Sequence, residues 1–263
     1  MNVAGRTVLL TGATGGLGHA VARRLRTAAA ELVLTGRRAE VLEPLAAETG
    51  ARSIALDLAE PAAVMDLAIQ CADVDILVAN AGVPASGQLT SFTVEEIDRA
   101  LAVNLRAPMV LARHLAERMV ARRSGHLVFM SSLSGKVGTA RGSVYSATKF
   151  GLRGFAQSLR EDLRPSGVGV SAVFPGFVRD AGMFHDAGVK VPAWVGTSTS
   201  AAVAEAVLQA IEHDRGEVDV APLGVRAGAK VAGLAPDLAA SVQRKLGGEK
   251  IAEQHVTGQA DKR

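Results

Sequence analysis

Cysteine and aromatic residues are scarce in this sequence, and each scarcity excludes a class of protein. Cys71 is the only cysteine among 263 residues. The chain therefore cannot be a scaffold held by internal disulfides, and we expect a reducing, cytoplasmic setting. Aromatic residues make up 3% of the chain and apolar residues 48%, so the core must be built from aliphatic side chains and alanine. We expect no signal peptide, and no apolar run reaches the roughly 20 residues that cross a bilayer.

Charge and histidine spacing argue against two further classes. The formal net charge is only +3, and no aromatic residues lie between the arginine pairs for bases to stack on, so we expect no nucleic-acid partner. The six histidines show no paired spacing of the kind that holds a metal ion, so we expect no metal site.

Short apolar runs alternate with helical periodicity along the chain, which favours an α/β fold. Runs such as Val74–Ala79 are almost continuously apolar, which is typical of parallel strands buried on both faces. Seven strands are predicted, at Arg6–Thr11, Glu31–Thr35, Arg52–Asp57, Val74–Ala79, His126–Met130, Val168–Phe174 and Glu217–Val220. We therefore expect a doubly wound, seven-stranded, mostly parallel sheet with helices on both faces, formed by residues 1–263 as a single domain.

The end of the chain carries a weaker pattern. Between Leu234 and Leu246, apolar residues recur at four-residue intervals beside two basic residues. This predicts a helical extension over about 221–250 that packs on the subunit or on a neighbouring one, with contact to a membrane surface as the alternative. The last ten or so residues are predicted to be disordered.

A glycine-rich turn, TGATGGLG, follows the first predicted strand at Thr11–Gly18. In a doubly wound fold, a turn at this place lets the backbone approach a pyrophosphate, which the N-terminus of the next helix then holds. Gly12, Gly16 and Gly18 occupy the required positions, although their spacing differs from G-x-G-x-x-G. The turn therefore predicts a dinucleotide site.

Tyr145, the only tyrosine of the chain, lies four residues before Lys149 in a stretch with helical periodicity. Residues i and i+4 share a helix face, so the ammonium can stand beside the phenol. A positive charge at about 4 Å, with an effective dielectric of roughly 20, favours the phenolate by about 4 kcal/mol, or roughly three pKa units. We therefore expect the pKa of Tyr145 to fall near 7, where an acid–base catalyst works best.

Five motifs together resemble the short-chain dehydrogenase/reductase family, in its single-domain branch. They are TGATGGLG, VANAG at Val78–Gly82, Asn104 in VNL, Ser132, and YSATK at Tyr145–Lys149. The resemblance covers roughly residues 4 to 220. It implies a Rossmann fold, a nicotinamide cofactor, and the reversible oxidation of an alcohol to a carbonyl.

The resemblance also implies roles for individual residues. Tyr145 would be the acid–base, Lys149 its activator and a ribose ligand, Ser132 the partner of the substrate oxygen, and Asn104 the holder of a relay water. Ser132 is preferred to Ser131 because it lies thirteen residues before Tyr145. The cofactor residues it implies are Thr11, Gly12, Thr14, Gly15, Gly16, Leu17, Gly18, Asp57, Leu58, Asn80, Ala81, Gly82, Tyr145, Lys149, Pro175, Gly176 and Val178. Asp180 stands where the family usually has threonine, which puts the binding of the carboxamide in question.

The end of the second strand predicts which nicotinamide cofactor is bound. An acidic residue there would bind both ribose hydroxyls and repel a 2′-phosphate. Here Gly36 stands in place of the carboxylate, and the guanidiniums of Arg37 and Arg38 follow, which suit a phosphate. Thr14 offers a hydroxyl nearby. We predict that NADP(H) is preferred over NAD(H).

The substrate is predicted to be a hydrophobic ketone or aldehyde and its alcohol. The loop at about 177–197 is rich in apolar side chains, and the predicted pocket wall consists of Leu133, Val137, Met183, Phe184 and Trp194. Two alternatives stay open: a 3-ketoacyl-thioester (acyl-carrier-protein) reductase of the same family, and a cofactor-binding sensor or scaffold without turnover. By resemblance we also expect a homodimer or homotetramer, with the helices of 93–123 and 144–164 at the interface.

Overall fold

The structure is a computed structural model that describes residues 1–189, 191–192, 195–237, 240–241 and 248–258. The predicted substrate residue Trp194 lies outside these ranges, as does most of the amphipathic stretch that ends at Leu246.

A parallel sheet forms the centre of the molecule. Its seven strands lie in the order β3-β2-β1-β4-β5-β6-β7, and every pair is parallel. The strands are β1 Thr7–Thr11, β2 Glu31–Gly36, β3 Arg52–Ala55, β4 Ile76–Ala79, β5 Gly125–Met130, β6 Val168–Pro175 and β7 Glu217–Val220. The predicted α/β, Rossmann-type sheet is confirmed. The strand order reverses between β1 and β4, which is where ligands of such folds bind.

Helices cover both faces of the sheet. They are α1 Gly16–Thr27, α2 Ala39–Thr49, α3 Pro61–Gln70, α4 Val94–Leu101, α5 Ala107–Ala121, α6 Ser143–Leu163, α7 Gly182–Asp186, α8 Ser200–Glu212, α9 Leu223–Leu234 and α10 Gly248–Thr257. The helices α1, α2 and α8 pack on one face and α3, α5 and α6 on the other, in two clusters made almost entirely of aliphatic side chains and alanine. The scarcity of aromatic residues thus has the expected consequence for the core.

Several boundaries differ from the predictions. The strand β3 ends at Ala55 rather than Asp57. The helix α8 is capped by Thr199, whose hydroxyl accepts from Ala202 N. The predicted substrate loop at about 177–197 contains the short helix α7. The helix α10 reaches Thr257 and so includes the first four of the last ten residues, for which the sequence predicts disorder. No helix among the described residues is long and apolar enough to cross a membrane.

Candidate active site

The glycine-rich turn brings backbone, rather than side chains, to the carboxyl edge of β1. Gly12 has a φ of +67°, and a side chain at this position would lie 2.6 Å from the Ala81 Cα, so only glycine fits both the conformation and the space. The helix α1 follows, with Gly15 as its N-cap, no side-chain cap and no acidic residue in its first turn. A helix start of this kind binds anions through its N–H groups. These residues therefore fit the pyrophosphate of a dinucleotide.

Hydrogen bonds join this turn to the end of β4. The Thr11 hydroxyl accepts from the backbone N–H groups of Asn80 and Ala81, both at 3.1 Å. The Asn80 amide donates to the carbonyls of Thr11 at 3.0 Å and Gly12 at 3.2 Å. The predicted residues of the first and fourth strand ends thus form one rigid edge at the strand-order reversal.

Two guanidiniums lie at the end of β2, as predicted. A side chain at Gly36 would come within 2.9 Å of the Thr14 hydroxyl, so a carboxylate there would require the Thr14 side chain to move. Arg38 donates to the Thr14 carbonyl at 2.6 Å. Arg37, whose side chain is 56% exposed, lies 3.9 Å from the carboxylate of Asp57.

Asp57 and Leu58, predicted to meet the adenine, have well-defined surroundings. The Asp57 carboxylate pairs with Arg99 at 2.8 Å and accepts from Ala59 N at 2.9 Å. Burial alone would raise the pKa of this carboxyl, but the bonds from Arg99 and Ala59 hold it below its ordinary value. Leu58 is buried against the core. Arg37 is therefore shared between Asp57 and any anion that approaches the end of β2.

Asn104 lies in a π-helical turn, Ala102–Arg106, between α4 and α5. It is fully buried. Its side-chain oxygen accepts from Val83 N at 2.7 Å, and its amide donates to the Val83 carbonyl at 3.0 Å. Turns of this kind are frequent at functional sites. The paired bonds fix Asn104 against the segment that follows β4.

Ser132 follows β5 in a loop that is seated on α6. The Ser132 hydroxyl accepts from Ser134 N at 3.1 Å and forms a hydrogen bond with Tyr145. The neighbouring Ser131 hydroxyl donates to the Lys149 carbonyl at 3.1 Å. A side chain at Gly135 would lie 2.7 Å from that same carbonyl, so glycine permits the close approach.

The predicted pKa of Tyr145 near 7 is wrong for this structure. The Lys149 ammonium lies 5.6 Å from the centre of the Tyr145 ring and donates to the Met130 carbonyl at 2.9 Å. Burial raises the pKa of Tyr145 to about 12, against the opposing effect of the bond with Ser132. Burial also lowers the pKa of Lys149 to about 8. Desolvation of the two groups thus outweighs their attraction.

Gly82 is the point where several predicted residues meet. A side chain built there would lie 3.3 Å from Asn104 Oδ1, 3.4 Å from the Met183 methyl group and 3.8 Å from Lys149 Nζ. With the Ser132–Tyr145 bond, the structure brings the four predicted catalytic residues to one edge of the sheet, beside the glycine-rich turn.

The loop after β6 covers this edge. Met183 and Phe184 lie on α7, and the Phe184 ring is 5.0 Å from that of Phe177. A side chain at Gly176 would lie 3.2 Å from Leu133, so Leu133 reaches the same turn. Val178 is buried, and its backbone forms an isolated parallel β-bridge with Ser198. Val137 is partly buried near the end of the Ser132 loop.

The Asp180 side chain is hydrogen-bonded to Ser200 at the start of α8. Its carboxylate accepts from Ser200 N at 2.8 Å and from the Ser200 hydroxyl at 3.1 Å. Burial by itself would raise the pKa of this carboxyl, but the Ser200 bonds keep it below its ordinary value. The departure from the usual threonine thus has a structural role, which is to join the loop to α8.

Sequence reasoning missed a group of four charged side chains between the Ser132 loop, β7 and α6: Lys136, Arg153, Glu217 and Asp219. We call them the β7 charge cluster. A signal was present, since two acidic residues two positions apart on a short strand must face the same side. That side faces α6.

Comparison with known proteins agrees with this geometry. The sequence model of the family described as short chain dehydrogenase matches residues 6–191. The ketoacyl reductase HetN of Nostoc sp. is 38% identical over 225 residues, which cover 82% of this chain and 78% of HetN.

Solved structures are similar as well. A short-chain dehydrogenase from Sphingobium yanoikuyae in complex with NADPH gives a TM-score of 0.78 at 29% identity, covering 88% of this chain and 93% of that one. A metagenomic short-chain oxidoreductase in complex with NADP gives a TM-score of 0.72 at 35% identity, covering 84% and 99%. The chain belongs to the short-chain dehydrogenase/reductase family of oxidoreductases.

Proposed function

We propose that this protein is an NADP(H)-dependent oxidoreductase that interconverts a hydrophobic ketone or aldehyde and its alcohol. The observation that supports it most strongly is the convergence of Asn104, Ser132, Tyr145 and Lys149 beside a glycine-rich turn suited to a dinucleotide. A carbonyl reduction needs a proton donor and a hydrogen-bond donor at one oxygen, and the pair Ser132–Tyr145 supplies both.

When bound, the nicotinamide cofactor supplies the hydride. The chain's own residues hold the oxygen and move the proton. Tyr145 donates its phenolic proton to the carbonyl oxygen in reduction and takes it back in oxidation. Ser132 donates a hydrogen bond to the same oxygen. Lys149 would present its ammonium to the ribose hydroxyls, and Asn104 would hold a water that returns a proton toward Lys149.

The proposed NADP(H) preference rests on the end of β2. The Arg38 guanidinium binds the Thr14 backbone, the Arg37 guanidinium lies 3.9 Å from the Asp57 carboxylate, and Gly36 supplies no carboxylate of its own. Guanidiniums pair with phosphate through charge-assisted hydrogen bonds. Similar solved structures hold NADPH and NADP, which supports the same preference. Measuring kcat/KM with both cofactors tests it, and a tenfold or greater preference for NAD(H) would contradict it.

The proposed substrate is apolar because the loop beside the site is apolar. Met183 reaches Gly82, and Phe184 and Leu133 flank the turn after β6. The alternative is a 3-ketoacyl thioester, and the name of HetN, a ketoacyl reductase, favours it. Both substrates present a ketone to the same four residues. An assay of an acyl thioester against simple apolar ketones separates the two.

The assembly is proposed to be a homodimer or homotetramer. Apolar side chains are exposed on the helices expected at the interface, among them Leu101, Met109, Val120 and Phe150. We further propose a single domain over 1–263 and a cytoplasmic location, which the lone, buried Cys71 supports. Light scattering of the purified protein and fractionation of cells test the assembly and the location.

The decisive experiment is a screen of ketones and alcohols followed at the nicotinamide absorbance. Tyr145→Phe keeps the ring but removes the proton, and we expect it to lower kcat by about 10³-fold or more, since general acid–base catalysis contributes 10²–10⁴-fold. The folded state of the variant is checked by cofactor binding. Full turnover by Tyr145→Phe would overturn the proposal.

A further inference from the structure

The β7 charge cluster links three elements around the proposed active site. The Lys136 ammonium, four residues after Ser132, lies 2.5 Å from Asp219 Oδ1 and 2.8 Å from Glu217 Oε2. Arg153, four residues after Lys149 on α6, pairs with Glu217 at 2.7 Å. Two cations and two carboxylates thus join the Ser132 loop, α6 and the edge strand β7 into a neutral set.

The cluster is buried at its centre, while the side chains of Arg153 and Glu217 are 31% and 26% exposed. The side chains of Lys136 and Asp219 are 10% and 8% exposed, and the Lys136 ammonium lies 4.0 Å from the centre of the Phe174 ring. Burial alone would raise the pKa of Glu217, but the bonds from Arg153 and Lys136 hold it below its ordinary value, so the carboxylate stays charged at neutral pH. Removal of one partner would leave a charge buried and unpaired, which is costly.

The Ser132 loop is held on both sides of the serine. Before it, Ser131 donates to the Lys149 carbonyl at 3.1 Å. After it, Gly135 lies so close to that carbonyl that a side chain would not fit between them, and Lys136 pairs with Glu217 and Asp219 of β7. Tyr145 lies on α6, the helix that also carries Lys149. Because Ser132 lies between these two attachments, it has little freedom to move relative to Tyr145.

We propose that the β7 charge cluster is a latch that sets the position of Ser132 against Tyr145, which makes Lys136, Glu217 and Asp219 positioning residues for the reaction. The proposal rests on the proposed roles of Ser132 and Tyr145. If the latch opens, the Ser132–Tyr145 hydrogen bond weakens. Since that bond opposes the upward shift of the Tyr145 pKa, its loss moves the apparent pKa of kcat in the oxidation direction to higher pH.

The test uses Lys136→Met, Ser132→Ala and the double variant. Because misplacement of a reacting group by about 1 Å can cost 10²-fold, we expect Lys136→Met to lower kcat by roughly ten- to hundredfold. The KM for the cofactor should change by less than about threefold, since the glycine-rich turn is untouched. The double variant should be no slower than Ser132→Ala alone, because both changes remove the same function. Lys136→Arg, which keeps the charge, should recover part of the rate.

Asp214→Asn is the matched control. Asp214 pairs with Arg160 of α6 at 2.7 Å and lies just before the amino-terminal end of β7, away from the carboxyl ends of the strands where the proposed site lies. We expect Asp214→Asn to lower the melting temperature of the protein and to leave the pH profile of kcat unchanged. If Lys136→Met does not fold, Asp219→Asn, which keeps the side-chain volume, takes its place.

Two results would overturn the latch. One is a Lys136→Met enzyme with the wild-type kcat and pH profile and only a lower melting temperature. The other is a loss of rate in the Ser132→Ala background as large as in the wild type. Neither depends on Tyr145→Phe, whose full activity would instead contradict the proposed function.

Discussion

Replacing Lys149 by methionine should abolish turnover and at the same time stabilise the protein at pH 7. Lys149 is 3% exposed, and burial lowers its pKa from 10.5 to about 8. At 1.36 kcal/mol per pKa unit, this fall corresponds to about 3 kcal/mol of cost for keeping the group charged in the folded state. Methionine has a similar length and carries no charge.

The gain in stability is smaller than that figure. The ammonium donates to the Met130 carbonyl at 2.9 Å, and loss of a hydrogen bond costs about 1 kcal/mol. We therefore expect the free energy of unfolding to rise by about 1–2 kcal/mol at pH 7, which corresponds to a melting temperature higher by roughly 2–8 °C.

The sign of the pH dependence follows from the two pKa values. Below pH 8, Lys149 is charged in the folded and the unfolded wild type, so the full cost is present. As pH rises from about 8 to 10.5, the folded state releases its proton before the unfolded state does, and the cost disappears. The advantage of Lys149→Met should therefore shrink over this range. The shift of Tyr145 is common to both proteins and cancels in the difference.

Denaturant unfolding of the two proteins at several pH values between 7 and 10 measures this difference. Lys230→Met is the control, since Lys230 is exposed on α9, and it should leave stability within about 0.5 kcal/mol of the wild type at every pH. A Lys149→Met protein that is less stable at pH 7, or whose difference from the wild type does not change with pH, would refute the assignment of burial as the dominant effect.

Three further changes test other parts of the site. The double change Arg37→Ala, Arg38→Ala should weaken NADP(H) binding by about ten- to hundredfold in calorimetric titration and leave NAD(H) nearly unchanged, since charge-assisted hydrogen bonds contribute about 1.5–3 kcal/mol; equal losses for both cofactors would contradict it. Asp180→Ala should cost about 1 kcal/mol in thermal unfolding, as does the loss of a helix cap; an unchanged melting temperature would show that α8 needs no such anchor. Gly12→Ala should abolish cofactor binding, because the position has a φ of +67° and lies against Ala81; wild-type affinity would remove the turn from the site.

The sheet could be predicted because its signals are local. The strands β1, β4, β5 and β6 are short apolar runs that end at glycine, a polar residue or proline, and β7, which alternates acidic and apolar residues, has the predicted ends at Glu217 and Val220. Side-chain periodicity marks such runs without knowledge of their neighbours. The errors lie where pairing decides the end of a strand. The strand β3 stops at Ala55 because its partner β2 ends at Gly36, opposite Ala55.

The joint between α4 and α5 was harder to predict. Pro108 predicts that the helical pattern is interrupted and that a new helix opens there, since proline lacks the N–H of a helical hydrogen bond and suits the first turn of a helix. In the structure, the helix continues through the π turn Ala102–Arg106, and Pro108 lies in the first turn of α5. The wider hydrogen bonding of a π turn accommodates the missing N–H and carries Asn104 inward. The helix propensities of the individual residues do not predict this π turn.

The acidity of Tyr145 shows where reasoning from spacing fails. The distance of four residues on a helix correctly predicts that Lys149 shares a face with the phenol, and Coulomb's law then gives a lower pKa only for an assumed dielectric. That dielectric is set by segments remote in sequence. Ser131, which follows β5, donates to the Lys149 carbonyl, and the Met183 methyl group and the Lys149 ammonium both lie near Gly82. Removing water in this way penalises the phenolate and the ammonium together, so the packing that brings the two groups into position raises the pKa of Tyr145 further above the neutral range and lowers the pKa of Lys149 toward it. It follows that proton transfer at neutral pH depends on charge that arrives with the ligands, and that apolar substitutions around Gly82 should alter the pH profile of kcat even though they touch no ionisable group.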